Sequence, residues 1–123
     1  MVISFFEKNR GLSLTVTLII AVLIFYISSL TFSGSGGTGY MSYIYHFTAF
    51  SYLTLFLLIT LTKGKPNLSM IILGIILSII YGISDEFHQY FVPGRYYSFK
   101  DILLDSIGIL ITGIAYTNYC RNR

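Results

Sequence analysis

The sequence predicts an all-α integral membrane protein, a bundle of four transmembrane helices with its N- and C-termini in the cytoplasm. Three observations lead there. Of the 123 residues, 54% are apolar and only 11% are charged, against about 25% charged in an average soluble domain. The apolar residues gather into four runs, each near the ~20 residues that a helix needs to cross about 30 Å of hydrocarbon. Six basic residues (Lys8, Arg10, Lys63, Lys65, Arg121 and Arg123) flank these runs on one side and two, Arg95 and Lys100, on the other. An excess of Lys and Arg marks the cytoplasmic face. Backbone amides in lipid must be satisfied within their own segment, so each run is a helix.

The first run, 12–32, follows Lys8 and Arg10. It exceeds the length of a signal-peptide core and lacks a small-residue cleavage pattern, so it reads as a retained helix. The glycine-rich stretch Ser33–Gly39 that follows is a loop. The second run covers 43–62, and the short turn Lys63–Asn67 folds the third, 68–88, back against it as an antiparallel hairpin. Pro93-Gly94 signals another turn, after which the fourth run spans 101–120. No internal repeat divides the chain, and 1–123 reads as one domain. Cys120 is the sole cysteine, which excludes a disulfide framework and a Cys-based metal motif; its expected role is that of a small apolar residue at a helix end. The net charge of +3 comes from pairs of basic residues at segment ends, a pattern with no nucleic-acid partner in it.

Four of the five acidic residues, Asp85, Glu86, Asp101 and Asp105, crowd into the third run's end and the fourth run's start, with His88, Gln89, Arg95 and Lys100 among them. Ionisable groups at membrane depth are costly unless paired or wetted, which makes such a cluster a functional-site candidate. In a four-span topology His46 lies about one turn below the same outer surface, and Tyr40, Tyr43, Tyr45, Tyr90, Tyr96 and Tyr97 rim it, as amphipathic rings do at interfaces. Helical spacing puts Asp85 with Gln89 and Ser84 with His88 on shared faces, and Asp101, Asp105, Gly108 and Thr112 in one stripe. Gly74, Ser78 and Gly82 form a small-residue row suited to close helix packing. Arg95 is the expected counter-ion for Glu86, Asp101 or Asp105, since guanidinium binds carboxylate in a fork.

Each of these residues also has a purely architectural reading. Arg95 with the aspartates can serve as a clamp from loop to helix. Asp101 suits a helix start, where the dipole favours an acid, whereas Asp85 and Glu86 approach a helix C-terminus and lack that justification. A lone His46 is more often a packed, hydrogen-bonded residue than a ligand. Asp85, Glu86 and His88 are the candidates for acid/base chemistry. No cofactor is expected; His46, Glu86, His88 and the two later aspartates nevertheless have the donor types to hold a divalent ion, without a fixed metal motif such as HExxH.

The string Asp85-Glu86-x-His88-Gln89-x-Phe91-Val92-Pro93-Gly94-Arg95, followed by Asp101 and Gly108, resembles the hallmark of VanZ-like membrane proteins, and His46-Phe47 resembles that family's shorter upstream motif. The chain departs from the pattern at Asp105, where asparagine is common, and at Ser42-Tyr43, where an Asp-Lys pair often stands. The resemblance implies a small multi-pass protein of the bacterial cell membrane. Through the family's founding member it also implies a contribution to resistance against teicoplanin-type glycopeptide antibiotics.

The preferred expectation is a non-enzymatic module that binds, or alters access to, a membrane lipid or lipid-linked cell-wall precursor at the outer leaflet. Arg95 and Lys100 would meet its phosphate or carboxylate. The alternative is a membrane-embedded enzyme acting on such a lipid through the outward carboxylate and histidine cluster. A transporter ranks third, because the charges gather at one edge and no broken-helix repeat is evident. Four slender helices are also candidates for homo-oligomerisation, with no interface legible in the pattern.

Overall fold

A computed structural model describes residues 2–29, 40–92 and 99–122. Among them are five α-helices and no strand: α1 (Val2–Lys8), α2 (Arg10–Ser29), α3 (Tyr40–Thr62), α4 (Leu68–Tyr90) and α5 (Phe99–Arg121). Arg10–Ser29, Tyr43–Thr62 and Leu68–Tyr90 are long and apolar enough to cross a membrane. α5 equals α4 in length but is less apolar, with Asp101 and Asp105 on its first two turns.

The helix predicted over 43–62 begins earlier, at Tyr40, the one over 68–88 continues to Tyr90, and the one over 101–120 occupies 99–121. The predicted 12–32 run differs most. Its last residues, 30–32, lie outside the described residues, and α2 is preceded by the separate seven-residue helix α1, which the apolar pattern did not announce. Asn9 marks the break. Its side chain donates to the Phe5 carbonyl at 2.8 Å, the local competition that makes asparagine a poor helix-interior residue. Ser13 donates to the Phe6 carbonyl at 2.6 Å and so satisfies an acceptor at the end of α1.

The turn between α3 and α4 forms as its composition suggests. Lys63 and Gly64 both adopt positive φ, 55° and 83°, and Gly64 donates its backbone N–H to Thr62 Oγ1 at 3.3 Å. Asn67 then caps α4, accepting from the Met70 backbone N–H at 3.3 Å. The result is an antiparallel hairpin with α3 at the centre of the molecule, packed against α2, α4 and α5 and most extensively against α5.

Close approach between these helices relies on small residues. Gly74, Ser78 and Gly82 are all buried along one row of α4, where a Cβ on Gly74 would meet Leu58 and one on Gly82 would meet Phe50 and Asp105. The row predicted for packing therefore packs. Two apolar clusters fill the interior. Ile24, Phe50, Leu53 and Ile109 lie in the middle, while Leu58, Ile59, Ile71, Tyr116 and Cys120 close the end that holds the α3–α4 turn. Cys120 is thus the core residue its position suggested. The fifth acid, Glu7, is at this end as well: Tyr116 donates to its Oε1 at 2.9 Å, tying α1 to α5, and Arg10 Nε donates to the Thr60 carbonyl at 3.0 Å.

Outward faces are strongly apolar. On α5 the exposed side chains include Leu103, Ile107, Leu110, Ile111 and Ile114, while Asp101, Asp105 and Gly108 turn inward. Polar inside and apolar outside is the arrangement lipid imposes on helices that carry charge.

Candidate functional site

The start of α3, the end of α4 and the start of α5 meet at the end of the molecule away from the α3–α4 turn, and each contributes acids or histidine. His46 sits in the second turn of α3 and is 1% exposed. Its Nδ1 lies 2.9 Å from Asp105 Oδ1 and its Nε2 lies 3.4 Å from Asp101 Oδ2. A carboxylate accepts, so Nδ1 carries the proton in the shorter contact. Glu86, fully buried, closes the group from α4. His46, Glu86 and Asp101 each bring one nitrogen or oxygen atom within 4.8 Å of the other two. Asp101 also stands in the first turn of α5, so its role at a helix N-terminus and its place in the cluster coexist.

Local geometry explains why these side chains converge. Asp101 and Asp105 are four residues apart and share the face of α5 that packs on α3. Gly108, one turn further, brings the two backbones so close that a Cβ there would stand 2.8 Å from the Phe47 carbonyl oxygen. Gly82, one turn before Glu86, faces Asp105 at ordinary van der Waals distance. Two glycines therefore set the depth at which imidazole and carboxylates meet.

The expected polar cluster divides in two. Asp85, although adjacent to Glu86, points toward α2 and not to His46: it accepts a hydrogen bond from Ser28 Oγ and a second, at 3.1 Å, from Gln89 Nε2. Gln89 also donates to Ser28 Oγ at 3.4 Å. His88 turns to α2 as well, with Nε2 2.9 Å from Ser29 Oγ and its ring stacked on Phe25 at 4.4 Å between centroids. Consecutive helical residues are about 100° apart, enough to send Asp85 and Glu86 to different neighbours. Of the three acid/base candidates, only Glu86 joins the histidine. Arg95, the expected counter-ion, lies outside the described residues. Lys100 is exposed, and the partner seen beside Asp101 and Asp105 is His46.

Ser28 is the residue that pattern reading missed. The signal was present in the small polar positions Ser13, Thr17 and Ser28, which with Ile24 form the buried face of an otherwise apolar α2. Ser28→Ala is expected to destabilise the protein by about 1.5–3 kcal/mol, since it removes a hydrogen bond to a buried carboxylate. Unfolding in mild detergent measures this, and a change below about 0.5 kcal/mol, the range of surface substitutions, would contradict the bond's importance.

A protein-family model described as VanZ/LLP1 matches residues 4–119. The chain belongs to the VanZ/LLP1 family. No match was found among curated proteins or among solved structures. The VanZ/LLP1 match runs from α1 into the last turns of α5 and so takes in both halves of the site, the His46–Phe47 pair and the Asp85–Gly108 stretch. In this VanZ/LLP1 chain the two stretches meet through His46 and Asp105, 59 residues apart in sequence.

Proposed function

We propose that this VanZ/LLP1 protein is a four-span protein of the bacterial cell membrane with both termini cytoplasmic. On the outer side it engages a lipid-linked envelope component: Arg95 and Lys100 meet the phosphate of its head group, and the buried His46–Glu86–Asp101–Asp105 cluster fixes the helix ends behind them. By occupying that lipid it alters access to it, which is the physical route by which it would contribute to glycopeptide resistance of the teicoplanin type. The α5 helix supports the fourth span through its length and apolar outward face. The six-to-two distribution of basic residues supports the orientation. The observation that carries the reading is the convergence of three helix ends on one buried, charge-rich group at a single end of the molecule.

The test is selective retention of lipid. In nanodiscs holding equal amounts of a polyprenyl diphosphate and phosphatidylglycerol, native mass spectrometry of wild type is expected to find the polyprenyl diphosphate bound. Lys100→Gln, which removes an exposed positive charge at the start of α5, is expected to retain about tenfold less, equivalent to about 1.4 kcal/mol. Indiscriminate retention of both lipids by wild type would sink the reading.

One observation favours an enzyme as the second reading. Asp105 on Nδ1 orients His46 as carboxylates orient general bases. Release of inorganic phosphate from the polyprenyl diphosphate by wild type, abolished in folded His46→Gln, would decide for it.

A further inference from the structure

We propose that the groove between the start of α4 and the end of α5 binds a phospholipid carrying two phosphates, of the cardiolipin type. Arg121 and Lys65 meet the phosphates, and Leu68 and Ile71 meet the first carbons of the acyl chains. The groove stands at the α3–α4 turn, the opposite end of the molecule from His46 and its carboxylates.

Helix packing makes the groove. α4 and α5 are pressed together where a Cβ on Gly113 would stand 2.7 Å from Ile75 Cδ1. One helical turn nearer the α3–α4 turn come Ile71 and Thr117. There the helices leave a groove of about 360 Å³, lined by Pro66, Leu68, Ile71, Thr117 and Arg121, a size in the range of small-ligand clefts. Its floor is apolar, with Ile71 3% exposed, and its mouth is open, with Leu68 65% exposed. Leu68 begins one membrane-length helix and Arg121 ends another, so the mouth lies where hydrocarbon gives way to head groups.

The lining holds one cation. Pro66 has no N–H, and the side chains of Leu68 and Ile71 are apolar. Thr117 Oγ1 already donates to the Gly113 carbonyl at 2.7 Å. Arg121 is therefore the side-chain donor left for a ligand, and its guanidinium fork matches phosphate oxygens. It forms no ion pair or side-chain hydrogen bond among the described residues. The helix dipole favours a basic residue in the last turn of α5, which accounts for a charge at position 121 but not for the apolar groove beside it.

A second cation stands at the rim. Lys65 is exposed and precedes Pro66 in the lining. Its backbone is fixed in the turn, with its N–H on the Thr62 carbonyl at 3.1 Å and its carbonyl accepting from Asn67 at 2.7 Å. One guanidinium suits one phosphate, and an ammonium serves as a point charge for the next. Charge at this end is also one-sided. Lys8, Arg10 and Lys63 are exposed, while the acid here, Glu7, is buried and accepts from Tyr116. Basic pockets between membrane helices take up cardiolipin head groups in this way. A free phosphate would gain nothing from Leu68 and Ile71, so the apolar floor argues for a lipid.

The experiment is native mass spectrometry of the protein from nanodiscs holding cardiolipin and phosphatidylglycerol at equal total phosphate. Wild type is expected to retain one cardiolipin per chain, at least tenfold over phosphatidylglycerol. Arg121→Gln is expected to retain at least tenfold less, and Arg121→Lys, which keeps the charge but loses the fork, to fall between. Lys65→Gln should erode the preference for cardiolipin over phosphatidylglycerol. Lys8→Gln removes an exposed charge at the same end but outside the groove, and should match wild type. Equal retention of the two lipids by wild type would overturn the site. Equal losses in Lys8→Gln and Arg121→Gln would do the same, because they would mark a diffuse basic surface. Wild type alone can return the negative result, so the proposal is testable even if a variant fails to fold.

This site does not rest on the lipid reading above, and Arg121→Gln separates the two. In discs with polyprenyl diphosphate, that variant is expected to keep the polyprenyl diphosphate, which engages Lys100 at the other end. Its loss from Arg121→Gln would overturn the assignment of a separate groove. Selective cardiolipin retention without selective retention of the polyprenyl diphosphate would uphold the groove while the earlier reading fell.

Discussion

Asp105→Leu is expected to destabilise the bundle by about 1–3 kcal/mol, the cost of leaving a buried hydrogen-bond donor unsatisfied. The acid is almost wholly buried, and so is its partner His46. Their 2.9 Å contact ties the second turn of α5 to the second turn of α3. Leucine would leave the Nδ1–H of a buried imidazole without its acceptor. Asp105→Asn should be far milder, because the amide oxygen still accepts from Nδ1–H. Equilibrium unfolding in micelles measures both. Leucine costing no more than asparagine would show that the pair does not hold α3 to α5. A double-mutant cycle with His46→Leu separates the pair from packing effects.

Gly108→Ala carries the second large effect, a loss of about 1–3 kcal/mol through overpacking. A Cβ at this position would stand 2.8 Å from the Phe47 carbonyl oxygen and 2.9 Å from Ser51 Oγ. The first of these is backbone and cannot rotate away, so α5 must move off α3. That shift would also stretch the 3.4 Å bond from Ser51 Oγ to the Gly108 carbonyl. His46 and Asp105 lie immediately above the contact, so the same displacement would open the site. Gly74→Ala is the control. Its closest contact is the end of the Leu58 side chain, which can change rotamer, and its cost should be smaller. A greater loss at Gly74 than at Gly108 would overturn this account of the α3–α5 contact.

Much of the architecture was legible because lipid and helix geometry leave few choices. Apolar runs of the right length become helices. The turn Lys63–Asn67 produces a hairpin, and the row Gly74, Ser78 and Gly82 becomes an interface. The pairing of Asp85 with Gln89 followed from their four-residue spacing. The break at Asn9 was hidden, since it arises from side-chain bonds at α1 that leave the apolar pattern nearly unchanged.

The composition of the site was only half visible. Sequence by itself determined an all-helical chain of the VanZ/LLP1 kind, with its acids gathered near two helix ends and a histidine near a third. Spacing within one helix is set by the backbone, and a reader can count it. Which neighbour a face meets is set by how helices pack, through contacts between residues far apart in the chain. Only the tertiary structure therefore decided that Asp85 and His88 turn to Ser28 and Ser29 on α2 while Glu86 turns inward. It also decided that His46 faces Asp101 and Asp105, because glycines at positions 82 and 108 let α4 and α5 close on that level of the bundle.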